Sequence, residues 1–78
     1  MKIVEVIWRD ILSSDGWHSQ NKLDKFISNS SDEVQEVGYL YEQDENQIVL
    51  LTSYFRDKSL YGTIHRIPRG CIKEIKEL

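Results

Sequence analysis

The hydrophobic pattern in the first third of the chain changes its period from two residues to about 3.6. Within residues 2–11, Val4, Val6 and Trp8 share one face of an alternating segment, which predicts a strand with that face buried. From residue 19 to residue 28 the apolar positions follow i, i+3 and i+4, which predicts a helix of about two turns, capped by the serine at its start. A helix this short is unstable alone, so we expect it to pack on the sheet.

The middle of the chain predicts a hairpin of two long strands. Residues 34–41 and 48–55 are rich in β-branched and aromatic residues, and a short acidic turn joins them. Ile48–Leu51 is the only run of four consecutive apolar residues, which is typical of a strand covered on both faces. Gly38 predicts a bulge or a sharp bend in the first strand of the pair. We therefore place this hairpin at the middle of the sheet.

The last third predicts two more strands, residues 60–67 and 71–78, separated by one tight turn at Pro68-Arg69-Gly70. A strand, a helix, three strands, a one-turn interruption and a last strand follow each other in an order similar to that of SH3-like barrels. Sm-like proteins share the elements but place the helix before the first strand. We therefore predict a mainly β fold, a small five-stranded SH3-like barrel with a helix inserted after the first strand, in a single domain that covers residues 1–78.

Composition narrows the class of protein. A chain of 78 residues with 40% hydrophobic and 29% charged residues fits one small soluble domain with a marginal core. The net charge of −3 argues against general nucleic-acid binding. A single cysteine, Cys71, excludes an internal disulfide and a multi-cysteine metal site. Without a long apolar stretch or a signal-like N-terminus, we expect a cytoplasmic protein that does not bind membranes.

No arrangement of reactive residues predicts catalysis. His18 and His65 are far apart in sequence, and Cys71 has no third group that would orient it with His65 as a nucleophile. Glu42, Asp44 and Glu45 crowd one turn, where solvation explains them better than acid–base chemistry. We therefore expect no enzyme, no catalytic residue, no metal and no cofactor.

The densest group of polar and aromatic residues lies between the first strand and the helix, at Trp8, Asp10, Ser13, Ser14 and Trp17. An exposed pair of tryptophans beside a carboxylate and hydroxyls suits a flat or cationic ligand. In the alternative interpretation Trp8 belongs to the core, Asp10 or Ser14 tethers the turn, and Trp17 attaches the helix to the sheet. We favour packing, because large aromatic residues in small domains usually serve the core.

A second group combines basic and aromatic residues. Arginines among aromatic side chains can grip a phosphate backbone and stack bases, as small β-barrels that bind single strands do. Solvated strand ends and ordinary core aromatics explain the same residues, and we favour that interpretation. The residues are Tyr54, Phe55, Arg56, Lys58, Tyr61, His65, Arg66 and Arg69.

Several segments together carry a resemblance that spans nearly the whole chain. They are Trp8-Arg9-Asp10, Ser13-Ser14-Asp15-Gly16-Trp17, Val37-Gly38-Tyr39-Leu40, Ile48-Val49-Leu50 and Ile67–Ile75. In these segments the chain resembles a group of small, mostly phage- and prophage-encoded bacterial proteins. The resemblance implies a phage-type accessory protein in the host cytoplasm, and it implies no substrate.

Our first hypothesis is a non-catalytic binding module that recognises a host protein through aromatic anchors. One alternative is a module that binds single-stranded nucleic acid or a nucleotide through the arginines and aromatic residues. Another is a structural protein that forms a small homo-oligomer through an unpaired strand or the helix. The expected state is a monomer or a small homo-oligomer. The candidate binding residues are Trp8, Asp10, Ser14, Trp17, Tyr39, Arg66 and Arg69.

Overall fold

The computed structural model describes residues 1–29 and 32–78 and contains every element that the pattern predicts. Their bounds lie within two residues of the predicted ones, so the mainly β fold with one short helix is confirmed. The polar residues 29–32 predict the end of the helix and the link to the second strand, and two of them, residues 30 and 31, lie outside the described residues. The elements are β1 (Lys2–Arg9), α1 (Gln20–Ile27), β2 (Glu33–Gln43), β3 (Gln47–Phe55), β4 (Leu60–Pro68), a 3₁₀ turn (Arg69–Cys71) and β5 (Ile72–Glu77).

The five strands form one antiparallel sheet in the order β4-β3-β2-β1-β5. The hairpin of β2 and β3 lies inside the sheet, as the run of apolar residues predicts. Strand β1 is paired on both sides, so that Val4 lies opposite Gly38 of β2 and opposite Glu77 of β5. The pairings within the described residues leave β4 and β5 as the two edges, so the sheet is open.

One apolar cluster holds the sheet together. Val4 and Val6 of β1 meet Ile48 and Leu50 of β3 and Ile67 of β4, and each of these side chains is at most 2% exposed. Full burial stabilises the fold by about 1.5–3 kcal/mol for each such side chain. The face predicted from the alternation in β1 is therefore buried. In β3, predicted to be covered on both faces, Ile48 and Leu50 are buried on one face and Leu51 on the other. Trp8, Leu40, Cys71, Ile72 and Ile75 pack against this cluster.

The irregularity of β2 lies beyond the position that its glycine predicts. The register between β2 and β3 shifts between Leu40 and Glu42, whereas Gly38 is regularly paired with Val4. A Cβ atom at residue 38 would lie 3.1 Å from the carbonyl oxygen of Leu51. The glycine therefore allows a close approach of two strands, and the prediction of a bulge at Gly38 itself is wrong.

The helix does not pack on the sheet, so that expectation is wrong. Ser19 caps it as predicted, since its hydroxyl accepts a hydrogen bond from the Lys22 amide at 3.3 Å, but no helical residue is buried. Every residue from 10 to 29 is exposed, and we call this segment the arm. The radius of gyration is 16.3 Å, against about 12 Å for a compact chain of this length. The arm therefore projects from the sheet.

No helix in the described part of the chain is long and apolar enough to cross a membrane.

Candidate functional site

The base of the arm is fixed where the chain leaves β1 and enters β2. The Asp10 amide donates to the carbonyl oxygen of Asp32 at 2.9 Å, and Arg9 Nε donates to the Asp32 carboxylate at 3.2 Å. The Asp10 carboxylate accepts a hydrogen bond from the Ile11 amide at 2.8 Å. Asp10, a predicted ligand contact, therefore holds the root of the arm.

Beyond its base the arm folds back on itself. Gly16 has a φ of +88°, a left-handed conformation that a side chain would oppose. After this turn His18 Nε2 lies 3.2 Å from the carbonyl oxygen of Ser14. A shallow concavity lies between that loop and the helix, lined by Ser14, His18, Lys22 and Phe26. Ser14 therefore contributes to the shape of the arm through its backbone.

The arm presents large apolar side chains to solvent. Trp17 is fully exposed, so the interpretation in which it attaches the helix to the sheet is wrong. Leu23 and Phe26 form the apolar stripe of the helix, yet 44% and 37% of their surfaces remain exposed. Large apolar side chains exposed together on one segment of a small protein are typical of a surface that binds a partner. The other apolar residues of the arm are Ile11, Leu12 and Ile27.

Trp8 lies apart from Trp17, because its ring is half-buried against the core cluster. Its indole Nε1 donates to Glu36 at 3.1 Å, and the same carboxylate is 2.8 Å from His65 Nδ1. The rings of Trp8 and His65 meet edge to face, with centroids 5.6 Å apart. The structure thus joins Trp8 to Glu36 and His65 and does not join it to Asp10, Ser14 or Trp17.

Sequence reasoning missed the part played by Glu36. This residue lies opposite Val6 in the β1–β2 register, at a position where the alternation calls for an apolar side chain. A carboxylate on a partly buried face requires hydrogen-bond donors. An acidic residue in phase with the buried face of a strand was therefore the available signal, and Trp8 and His65 supply the donors.

The two arginines proposed as binding residues have different positions. Arg69 Nε donates to the carbonyl oxygen of Asp44, and its terminal nitrogen donates to the Gln43 side chain, both at 2.9 Å. Arg69 therefore fastens the turn between β2 and β3. Arg66 is exposed on β4, opposite Val49. The two guanidinium groups therefore have different surroundings, one bonded to the turn and one exposed on a strand.

The acidic turn between β2 and β3 is stabilised by its own backbone. The Asp44 carboxylate accepts hydrogen bonds from the amides of Asn46 and Gln47, at 2.8 Å and 2.9 Å. These bonds, that from Asn46 most, lower the pKa of Asp44 below its ordinary value. At the other end of β2, a hydrogen bond of 2.7 Å to Glu33 raises the pKa of Lys73. Both groups are charged at neutral pH, and both form hydrogen bonds at the surface of the fold.

An apolar groove, which the sequence did not predict, runs along the sheet beside β4. Tyr41 and Tyr61 face each other across it with ring centroids 5.6 Å apart. Tyr39, a predicted contact residue, instead packs edge to face on Tyr54 at 5.1 Å. We call this surface the tyrosine groove. Its lining residues are Tyr41, Val49, Leu51, Tyr61 and Ile64.

Over residues 1–29 and 32–78, no group of three or more His, Cys, Asp or Glu side chains is arranged to hold a metal ion. Comparison with protein-family models, curated proteins and solved structures gives no match. Within the described residues, the arm and the tyrosine groove are prominent exposed apolar surfaces of the chain.

Proposed function

We propose that this protein is a non-catalytic binding module whose arm presents Trp17 and the apolar stripe of α1 to a partner protein. The observation that carries the proposal is the full exposure of Trp17 in a segment where every residue is exposed. Tryptophan is enriched among the residues that dominate binding energy at protein interfaces. An eight-residue helix is also too short to be stable on its own, so a partner that covers its stripe would stabilise it.

The charge of the arm favours a protein over a nucleic acid. Three aspartates at 10, 15 and 24 against two lysines at 22 and 25 leave the arm a net charge of −1. A phosphate backbone would be repelled by such a surface, because nucleic-acid affinity comes largely from cations that replace counterions. The apolar residues of the arm instead suit a shallow hydrophobic surface on a protein.

The same proposal includes the type of fold and the type of partner. The element order and the 3₁₀ turn between β4 and β5 support an SH3-like barrel into which the arm is inserted. The resemblance to phage-type accessory proteins supports a host protein as the partner, met in the host cytoplasm. Recognition by a projecting arm requires no catalytic residue and no cofactor.

The test is Trp17→Ala. A host protein is captured on the wild-type chain, identified, purified and titrated against each variant. We expect Trp17→Ala to weaken binding by about 30-fold, the effect of an interface residue worth about 2 kcal/mol. Its thermal midpoint should stay within about 2 °C of the wild type, because the fully exposed ring stabilises nothing in the free chain.

Two further variants serve as references for the affinity of Trp17→Ala. Trp17→Phe retains an aromatic anchor and should recover part of the affinity. Lys25→Ala changes an exposed helical residue outside the apolar stripe and should bind within twofold of the wild type. Equal affinity of wild type and Trp17→Ala, or a large loss of stability in that variant, would remove the arm from the binding surface.

A further inference from the structure

The two edges of the sheet are protected very differently. Strand β5 carries four charged side chains in six residues, and such charges keep an edge from pairing with another chain. Residues 60–64 of β4 contain no charged side chain, and no strand pairs with the outer side of β4 within the described residues. Unpaired backbone amides and carbonyls on an uncharged edge form a ready template for a further strand.

Apolar side chains surround the unprotected edge. Leu60 and Ile64 are 55% and 62% exposed, and Tyr61 and Phe55 are about half exposed. The tyrosine groove lies beside the same strand, and a second shallow concavity follows it along Ser53–Phe55 and Leu60–Gly62. An added strand would therefore cover hydrophobic surface as well as satisfy backbone hydrogen bonds.

We propose that β4 of one molecule pairs antiparallel with β4 of a second molecule, so that the sheet continues through a two-fold symmetric dimer. A symmetric contact requires that one edge complement itself. With the axis at Gly62, Leu60 lies opposite Ile64 of the other molecule and Tyr61 lies opposite Thr63. No like charges face each other within residues 60–64, and the glycines meet at the axis.

The uncharged and self-complementary edge, together with the exposed apolar side chains on it, favours a second copy of this chain. Within the described residues fifteen large hydrophobic side chains are exposed and six hydrophobic side chains are buried, so the isolated chain leaves much of its apolar surface in water. Antiparallel pairing of two β4 strands would cover the exposed side chains of Leu60 and Ile64 on one face of the sheet and of Tyr61 on the other. A contact of one strand pair lies at the low end of specific interfaces, which is on the order of 1,000 Å² in total, so we expect a weak dimer in the micromolar range.

Sedimentation velocity over 1–200 μM tests the proposal on the full chain. We expect the wild type to shift from monomer to dimer over this range, and Ile64→Lys and Leu60→Lys each to raise the dimer dissociation constant at least tenfold. Ile11→Lys is the matched control, because it places the same charge on an exposed apolar residue of the arm. It should dimerise as the wild type does. Circular dichroism establishes that each variant is folded. If one of the two edge variants does not fold, the other still tests the proposal.

Hydrogen exchange locates the contact. Between 5 and 200 μM the outward-facing amides of residues 60–64, which alternate along the strand with the amides bonded to β3, should gain at least tenfold protection, while those of β5 stay unchanged. Three results overturn the proposal: a monomer at every concentration, a dimer that survives both edge variants, and a dimer that Ile11→Lys disrupts. The arm takes no part in this contact, so loss of partner binding in Trp17→Ala and loss of the dimer in Ile64→Lys are separate outcomes.

Discussion

Glu36 connects two aromatic residues that belong to different strands. Its carboxylate accepts from the Trp8 indole at 3.1 Å and lies 2.8 Å from His65 Nδ1, so β1, β2 and β4 meet at one polar contact. Only 20% of the Glu36 side chain is exposed, which strengthens hydrogen bonds relative to the open surface. A polar group at such a depth is stabilising only while its donors and acceptors are paired. The three residues therefore function as a structural unit.

Removal of the Glu36 carboxylate should destabilise the fold. Glu36→Ala leaves the half-buried indole N–H of Trp8 without its acceptor, and we expect a loss of about 1–3 kcal/mol in urea unfolding. Glu36→Gln retains an acceptor oxygen and should lose less. Glu33→Ala is the control, since its carboxylate pairs with Lys73 in an exposed ion pair and its removal should have a smaller effect. An equal effect of Glu36→Ala and Glu33→Ala would contradict the structural part assigned to Trp8 and His65.

At the scale of elements, the turn between β2 and β3 depends on a charged group. The lowered pKa of Asp44 means that its carboxylate stabilises the folded state above its ordinary pKa of 3.8. That contribution is lost as the pH falls through the lower value of the folded protein. Arg69 adds to the turn by donating to the Asp44 carbonyl oxygen. The turn should therefore become less stable in strong acid.

Asp44→Asn isolates this contribution. The variant retains an oxygen acceptor but has no charge to titrate, so it should be less stable than the wild type at pH 6, and the difference should shrink by pH 3. The comparison is made on urea midpoints at the two pH values. Glu45→Gln removes a charge from the same turn without touching its hydrogen bonds, so it should retain the acid dependence of the wild type. A constant difference between Asp44→Asn and wild type would show that the charge of Asp44 does not stabilise the turn.

Local patterns predicted the elements but not the packing between them. The period of two in β1 and the apolar run in β3 depend on neighbours in sequence. The first identified a buried face, and the second identified a strand with buried residues on both faces. The amphipathic stripe of α1 is equally local, but it does not identify the element against which the helix would pack. In the described structure the helix packs extensively on no strand. Trp8 and Trp17 show the same limit. Their separation depends on the register of β1 with β2 and on the projection of the arm, which no spacing in sequence encodes.

At the scale of the whole molecule, the sheet and the arm contribute differently to the fold. The buried side chains all belong to strands, whereas every residue of the arm is exposed. Arg9 and Glu33, on either side of the arm, are cross-strand partners in the β1–β2 register. A chain that turned directly from one to the other would keep that pairing. We therefore expect the arm to be an insertion that the sheet does not need in order to fold.

Replacement of residues 10–32 by Asn-Gly tests this separation. The two residues favour the tight turn that joins antiparallel strands, and the shorter loop lowers the entropic cost of closing β1 on β2. We expect the shortened chain to fold and to gain on the order of 1–2 kcal/mol of stability in urea unfolding. It should lose the partner bound through Trp17 and still dimerise through β4, because those surfaces lie on different elements. A shortened chain that fails to fold would show instead that the arm is part of the folding unit. The pairing of β1 with β2 would then depend on the exposed residues of the arm.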